Sequence, residues 1–150
     1  MDAWRAEPRP VEPADHAEWV RMRAALHGES DDHARETREI IAGDRGAYGV
    51  FVVPRPGGGL CGYIEVGERP YADCCDSSPV GYIESWWVDE DVRRMGVGAA
   101  LVRVAEDWAR ARGRTEMGSD ALLDNLLSHS AHRALGYAEV ERLVIFRKDL

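Results

Sequence analysis

The chain lacks several features that would place it in a specialised class. Its 150 residues contain no apolar run of membrane-spanning length, and the first residues have neither the basic nor the apolar region of a signal peptide. Cysteine is scarce, because only Cys61, Cys74 and Cys75 are present, and they do not have the spacing of a zinc site. We therefore expect a cytoplasmic protein with reduced thiols and no bound metal.

The chain also has fewer basic than acidic residues, with 19 Lys and Arg against 27 Asp and Glu, and its net charge is −8. Such a balance argues against nucleic acid and anionic membranes as partners. Acidic residues are dense between Tyr63 and Asp91, where Arg69 is the only basic residue. That segment is either an ordinary solvated face or a surface that receives a cationic substrate.

Length and composition predict one compact domain over residues 1–150, with 45% hydrophobic residues to build its core. Turn residues and apolar spacing predict the elements, in the order β-α-α-β-β-β-α-β-α-β. The expected helices lie at 15–26, from 30 onward, from a glycine-containing turn near 96 to 113, and at 122–135. The expected strands include 50–53, 60–66, 115–119 and 137–146, and a hairpin loop is expected at 54–59. This order predicts a mixed sheet with helices on both faces.

The most informative stretch is a strand-like run at 80–88 followed by a glycine turn and a helical pattern. The turn reads Arg93-Arg94-Met95-Gly96-Val97-Gly98, with Ala99 inside the helix that follows. A turn of this kind directs backbone N–H groups at one point beside the positive end of the helix dipole. The stretch therefore predicts a phosphate-binding turn, and the alternative is a loop that only links the two elements.

The pattern R-x-x-G-x-G at Arg93, Gly96 and Gly98 resembles the signature of the GNAT superfamily of N-acetyltransferases. A second match follows in order, because Asn125 precedes the helix stop at Gly136-Tyr137 by the spacing of that superfamily. Further segments are similar to aminoglycoside 6′-N-acetyltransferases, namely Arg69-Pro70-Tyr71, Gly81-Tyr82-Ile83-Glu84, Ser119-Asp120, His132 to Gly136, and Phe146-Arg147-Lys148. The chain departs from that pattern at three positions, where His27 replaces a usual Trp, Ser85 a usual Gly and Trp87 a usual Tyr.

The resemblance implies the GNAT fold, a mostly antiparallel sheet that splays between its fourth and fifth strands, with acetyl-CoA as co-substrate. It also implies a homodimer that pairs through C-terminal strands, for which 143–146 could supply the edge. The backbone of Trp86, Trp87 and Val88 would extend the pantetheine arm as an extra strand. The other implied contacts with acetyl-CoA are Arg93, Arg94, Met95, Gly96, Val97, Gly98, Ala99 and Asn125, of which Asn125 could equally be a helix-start residue.

The resemblance also assigns the chemistry of acetyl transfer to an amine. Glu84 would be the general base, acting through water, and the backbone N–H of Val88 would stabilise the oxyanion. His132 stands where many members have the Tyr that protonates the thiolate, with an ordinary helix residue as the alternative. The implied contacts with a cationic aminoglycoside are His27, Tyr71, Glu84, Asp120 and Glu141.

Two other functions remain open from the sequence. A member of the same superfamily could acetylate another amine, such as a polyamine, an amino sugar or a peptide terminus. A non-catalytic domain could bind acetyl-CoA and sense it. Glu84 discriminates between catalysis and sensing, and a panel of amines discriminates between acceptors.

Overall fold

The computed structural model describes residues 4–150. The signal-peptide expectation concerns the N-terminal segment, and the first three residues of that segment lie outside the described range. The chain divides into two compact units, of which the first ends at Ser119 and the second is Asp120–Leu150. Each unit is described by itself.

The first unit is built on one five-stranded sheet in the order β1-β2-β3-β4-β5. Neighbouring strands are antiparallel from β1 to β4, and β4 and β5 are parallel. The strands are β1 at Arg9–Pro10, β2 at Tyr48–Pro54, β3 at Leu60–Arg69, β4 at Val80–Val88 and β5 at Met117–Ser119. The predicted hairpin between β2 and β3 is confirmed, since Tyr48 pairs with Gly67 and Val52 with Tyr63.

Three helices of the first unit cover both faces of this sheet. They are α1 at His16–His27, α2 at Asp32–Ala42 and α3 at Val97–Ala111, with short 3-10 turns at Pro13–Asp15 and Glu90–Val92. Tyr63 packs in one cluster with Trp19 and Met22 of α1. A Cβ added to its neighbour Gly62 would instead meet Val97 and Leu101 of α3. Since successive strand residues point to opposite faces, α1 and α3 lie on opposite sides of the sheet.

The predicted splay between the fourth and fifth strands is present. The parallel pairing begins at Gly81 with Met117 and ends at Ile83 with Ser119, whereas β4 continues to Val88. On the other side of β4, the register with β3 shifts from Glu65 opposite Ser85 to Val66 opposite Ile83. This shift leaves Glu84 as the extra residue of a β-bulge, at the position where β4 leaves β5.

The second unit contains α4 at Leu126–Ala134. The side chain of Asn125 caps this helix, because its Oδ1 accepts a hydrogen bond of 3.1 Å from the Ser128 backbone N–H. The prediction of a final strand at 137–146 is wrong, since the structure assigns no strand or helix after α4 and residues 141–150 are all exposed. A strand needs a partner for its backbone groups, and strand-like composition alone supplies none.

Candidate active site

The predicted phosphate-binding turn has an unusual backbone. Gly96, which immediately precedes α3, has φ +83°, and Arg94 has φ +63°, a left-handed conformation that is rare for a residue with a side chain. Ala100 makes the first backbone hydrogen bond of α3, to the Gly96 carbonyl, and no side chain caps the helix within the described residues. The N–H groups of Val97, Gly98 and Ala99 are therefore left to bind a ligand at the positive end of the helix.

Gly98 also matters for packing. A Cβ built there would lie 3.0 Å from Cζ2 of Trp86, so the first turn of α3 approaches β4 more closely than a side chain would permit. At Gly96 the same construction meets no atom within 4 Å. The two glycines thus have different roles. Gly98 leaves room for the Trp86 ring, whereas Gly96 adopts a left-handed backbone conformation and leaves the surface of the turn open.

Arg93 and Arg94 of the turn have different contacts. The Arg93 Nε donates a 3.0 Å hydrogen bond to the Val88 carbonyl, and its guanidinium carbon lies 5.1 Å from the centre of the Trp87 ring. Arg93 therefore ties the turn back to the end of β4. Arg94 is exposed and remains the arginine of the turn that is best placed to meet a phosphate.

The backbone direction at the end of β4 can be deduced from one bond. The Asp89 N–H donates to the Cys61 carbonyl of β3 at 2.8 Å. Because alternate residues of a strand direct their backbone groups to opposite edges, the N–H of Val88 points away from β3. It points to the edge where β5 no longer pairs, which is where a substrate carbonyl could receive a hydrogen bond.

The two tryptophans at the end of β4 lie on opposite faces. Trp86 meets the first turn of α3 at Gly98, and Trp87 packs against the cluster formed with α1. The Trp87 Nε1 donates to Asp89 at 2.9 Å. Each tryptophan therefore packs against a helix, because helices cover both faces of the sheet here.

Glu84 is the proposed base, and the structure gives it a partner that the sequence analysis did not name. Arg69 of β3 binds both of its carboxylate oxygens, with Nε 2.8 Å from Oε1 and Nη2 2.6 Å from Oε2. The guanidinium carbon of Arg69 also lies 3.6 Å from the centre of the Tyr82 ring. Arg69 could have been found from the charge pattern, since the only cation within an acidic segment is expected to pair with a carboxylate.

Most other carboxylates of the acidic segment are also paired with arginines from elsewhere in the chain. Asp89 binds Arg21 and Arg55, and Glu68 binds Arg112 and Arg114. Glu65 is almost fully buried and contacts Arg23, Trp19 and Tyr48. The segment is therefore largely a framework of internal ion pairs rather than an open acidic face. Fewer of its carboxylates are left to bind a cationic substrate than the composition of the segment indicated.

Two of the departures from the family pattern, His27 and Ser85, meet in the structure. His27, the last residue of α1, has its Nε2 3.0 Å from Oγ of Ser85, and the Tyr63 hydroxyl lies 2.6 Å from the same Oγ. Burial lowers the pKa of His27, and the charges of Arg23 and His33 lower it further against an opposing contribution from Glu36. Ser85 directly follows Glu84, so this cluster lies beside the proposed base.

Tyr71 lies in the loop between β3 and β4 and is 70% exposed. Its hydroxyl donates to Asp73 at 2.7 Å. In the same loop the sulfur atoms of Cys74 and Cys75 are 3.5 Å apart and not bonded. An exposed aromatic ring on a loop is consistent with the predicted contact to a sugar or a cation.

The remaining predicted residues belong to the second unit. Asp120, its first residue, directly follows β5 and is exposed. Nδ1 of His132 lies 2.7 Å from the Ser128 carbonyl, and its ring meets Tyr137 edge to face. Asn125 acts as the helix cap described above. Glu141 lies within the final strand predicted at 137–146, and the structure has no strand there.

The described residues also bear on membrane-spanning helices and metal sites. None of the helices in residues 4–150 is both long and apolar enough to cross a membrane. Over the same residues, no three or more His, Cys, Asp or Glu side chains come together as candidate metal ligands.

Comparison with known proteins gives a consistent result. Residues 11–137 match the acetyltransferase (GNAT) family. An aminoglycoside N(6′)-acetyltransferase type 1 from Klebsiella aerogenes is 44% identical over 145 residues, which cover 95% of each chain. Its counterpart from Stenotrophomonas maltophilia is 38% identical over 143 residues, covering 95% of this chain and 92% of the relative.

Solved structures agree with the sequence comparison. The aminoglycoside 6′-N-acetyltransferase AAC(6′)-Ih from Acinetobacter baumannii superposes with a TM-score of 0.89 and 30% identity, covering 97% of this chain and 99% of its own. AAC(6′)-Iy, solved with the bisubstrate analogue CoA-S-monomethyl-acetylneamine, superposes with a TM-score of 0.88 and 29% identity, covering 98% and 100%.

Proposed function

Because the chain belongs to the GNAT family of acetyltransferases, we propose that it transfers the acetyl group of acetyl-CoA to the 6′-amino group of aminoglycosides, by direct attack in a ternary complex. Relatives that share up to 44% identity over most of the chain carry that activity in their names. One structural observation carries the proposal. The open edge of β4 has Glu84 at its bulge, the Val88 N–H at its end and the α3 N-terminus just beyond.

The turn fits the diphosphate of acetyl-CoA. The N–H groups of Val97, Gly98 and Ala99 would bind its oxygens, Gly96 leaves the surface open, and the exposed Arg94 adds positive charge. Met95 lies in the same turn and is 56% exposed. Acetyl-CoA supplies an acyl group activated as a thioester. Arg93 would act indirectly, by fixing the end of β4 through the Val88 carbonyl.

Glu84 would bind the acceptor ammonium and remove its proton through a water molecule. Its side chain is about a quarter exposed, which permits contact with solvent and with a substrate. The fork of Arg69 fixes both carboxylate oxygens, so the orientation of the base is set before the acceptor arrives. The Val88 N–H would donate to the carbonyl oxygen that gains charge during attack.

The acceptor-binding assignments rest on the resemblance together with exposure. For the first unit, we propose that Tyr71 and His27 contact the acceptor. For the second unit, taken by itself, the resemblance assigns Asp120 and Glu141 as exposed carboxylates that bind ammonium groups. For His132 we propose the helix-residue alternative and no acid role, because the thiol of coenzyme A is acidic enough to leave without a dedicated donor.

The experiment that tests the proposed base is the substitution Glu84→Gln. We expect kcat for aminoglycoside acetylation to fall at least a hundredfold, the scale of a general base, while coenzyme A binding measured by calorimetry stays within twofold. Asp107→Asn, at an exposed position of α3, is the control and should change neither quantity. Unchanged turnover of the Glu84→Gln enzyme would eliminate Glu84 as the base.

We also propose a homodimer in the cytoplasm. In the second unit Val144, Ile145 and Phe146 are between 73% and 90% exposed, and a second copy of the chain would cover them by pairing the same segments. Light scattering should give twice the chain mass. Ile145→Glu should shift the protein to monomer, whereas Lys148→Glu in the same segment should not. A monomeric parent protein would contradict the proposal.

A further inference from the structure

Two adjacent cysteines in the loop between β3 and β4 form a dithiol that the proposed function does not use. The sulfur atoms of Cys74 and Cys75 are 3.5 Å apart, and both residues are unbonded to another sulfur and partly exposed. Cys61, the remaining cysteine of the chain, is fully buried in β3. Cys74 and Cys75 are therefore the two thiols that a reagent in solution can reach together.

Hydrogen bonds on both sides of the pair hold the loop in place. Both carboxylate oxygens of Glu116 accept from the Asp76 backbone N–H, at 3.1 and 3.3 Å, and Oε1 also accepts from the Ser77 N–H at 2.7 Å. The Cys75 N–H donates to the Ala72 carbonyl at 3.0 Å. The two thiols are thus held side by side before a ligand binds, which lowers the ordering cost of binding.

The separation of the sulfur atoms suits a bridging atom better than a disulfide. Neighbouring Cα atoms are about 3.8 Å apart across a trans peptide, below the roughly 4.4–6.8 Å that disulfides span, so a direct bond would be strained and easily reduced. A single atom with two sulfur bonds of about 2.3 Å, the length in zinc thiolates, spans about 3.3–3.8 Å if the bonds meet at about 90–110°. The observed 3.5 Å lies within that range.

The surroundings of the dithiol do not suit a metal ion as the bridging atom. Zinc takes four ligands, and in the part of the chain that the structure describes no group of three His, Cys, Asp or Glu side chains could hold a metal. Burial raises the pKa of the Cys75 thiol to about 12, and so do its hydrogen bond to Cys74 and the nearby carboxylates. Metals bind thiolates, whereas a trivalent organoarsenic centre condenses with thiols and needs only two sulfur bonds beside its carbon substituent.

The dithiol also packs against the residues that hold Glu84. It lies on a small cluster that contains Tyr82. A Cβ built at Gly118 of β5 would lie 3.1 Å from Sγ of Cys74 and 2.8 Å from the Tyr82 ring, so sulfur and ring meet over the same point of the sheet. The guanidinium carbon of Arg69 lies 3.6 Å from the centre of that ring, and Arg69 binds both carboxylate oxygens of Glu84. A group attached to the sulfurs would therefore disturb the ring and, through it, the arginine fork.

We propose that the dithiol of Cys74 and Cys75 is a covalent binding site for trivalent organoarsenic compounds. Its occupation slows acetyl transfer, because the attached group moves the Tyr82 ring and with it the Arg69 fork that orients Glu84. With an arsine oxide, the bond between arsenic and oxygen breaks, two arsenic–sulfur bonds form, and the two thiol protons leave with the oxygen as water. Arsenic stays trivalent, so no oxidant or reductant is needed. The binding step is independent of the proposed function, whereas the effect on turnover rests on it.

Intact mass spectrometry with phenylarsine oxide tests the binding step without any substrate. We expect one phenylarsenic group per chain, which survives excess mercaptoethanol and is removed by dimercaptopropanol, because the second sulfur bond is intramolecular and a monothiol competes poorly with it. Cys74→Ser and Cys75→Ser each leave one thiol of the pair and should lose the group in mercaptoethanol, with circular dichroism as the control for folding. No adduct in the parent protein, or an adduct that the single variants retain, overturns the site.

Acetylation kinetics tests the effect on turnover. We expect kcat of the labelled parent enzyme to fall about three- to thirtyfold, the scale of coupling through packed side chains, with coenzyme A binding within twofold and kcat restored by dimercaptopropanol. Cys74→Ser should keep the parent kcat and resist the reagent. An adduct that leaves kcat unchanged overturns the coupling to Glu84. Absence of any aminoglycoside acetylation by the untreated parent enzyme would instead overturn the proposed function and leave the mass result standing, so the two failures are distinct.

Discussion

The guanidinium of Arg69 and the carboxylate of Glu84 meet in a two-point ion pair between neighbouring strands, with N–O distances of 2.8 and 2.6 Å. Arg69 is itself held against the ring of Tyr82. The bulge in β4 brings Glu84 to this position, at the point where β4 leaves β5. The orientation of the proposed base therefore depends on an arginine of the adjacent strand.

Arg69→Lys is expected to lower kcat/KM for the acceptor about tenfold. Lysine keeps the charge but cannot form two parallel hydrogen bonds, and bonds to charged groups are worth about 1.5–3 kcal/mol each. Steady-state kinetics measures the loss, and Arg112→Lys at the exposed pair with Glu68 is the control. Equal kinetics for the parent and Arg69→Lys enzymes would show that Glu84 does not need the fork.

Gly96→Ala is expected to weaken coenzyme A binding at least tenfold. The added methyl meets no protein atom within 4 Å, so the expected damage comes from the left-handed backbone and from a methyl that faces the proposed diphosphate site. Gly113→Ala is a matched control, because Gly113 also has a positive φ and open space but follows the other end of α3. Calorimetry should find weak binding only for Gly96→Ala, and a similar loss for both variants would point to a general change in the helix.

The main elements of the first unit could be predicted from the sequence because local signals determine them. Glycine and proline alone indicate the loop at 54–59, the end of the helix at Gly113 and the turn at Gly96. The strand expected at 137–146 was wrong for a reason outside the segment, since an apolar run such as 143–146 forms a strand only where a partner strand exists.

The candidate site was predictable in position but not in its contacts. Glu84, Val88 and the turn were found from motif and resemblance, and the structure brings them along one edge. The pairing of Glu84 with Arg69 and of His27 with Ser85 depends on register and on the bulge, which residue type alone does not determine. For Asn125 the sequence did predict the observed contact, because the alternative of a helix-start residue describes its bond to Ser128.

Asp89→Asn is expected to lower the free energy of unfolding by about 2 kcal/mol at neutral pH. Its carboxylate accepts hydrogen bonds from Arg21, Arg55 and Trp87 directly after the proposed oxyanion donor. Burial alone would raise the pKa of Asp89, but these bonds outweigh it and lower the pKa. Urea unfolding monitored by circular dichroism measures the loss.

The pH dependence of the Asp89 contribution has a definite sign. Because the folded pKa is lowered, the ionised carboxylate stabilises the protein fully above the unfolded value near 3.9. That contribution disappears as the pH falls through the lower folded pKa. The difference in unfolding free energy between the parent and Asp89→Asn proteins should therefore shrink in acid, and a difference independent of pH would contradict the assignment.

Glu65→Leu is expected to destabilise the protein by about 3–5 kcal/mol, because it leaves the Arg23 charge without its buried partner. The bonds from Trp19 at 2.9 Å and Tyr48 at 2.7 Å are lost as well. Removing the exposed partner in Asp32→Ala should produce no measurable change and serves as the control. A Glu65→Leu protein as stable as the parent would mean that the buried network contributes no net stability.

The nitrogen that receives the acetyl group tests the proposed activity most directly. The purified protein is incubated with acetyl-CoA and kanamycin-like sugars that differ only in a 6′-amine or a 6′-hydroxyl, and the product acetyl group is located by NMR. We expect a single acetyl group on the 6′-nitrogen and no product from the 6′-hydroxyl sugar. Equal acetylation of both sugars, or acetylation of neither, would contradict it.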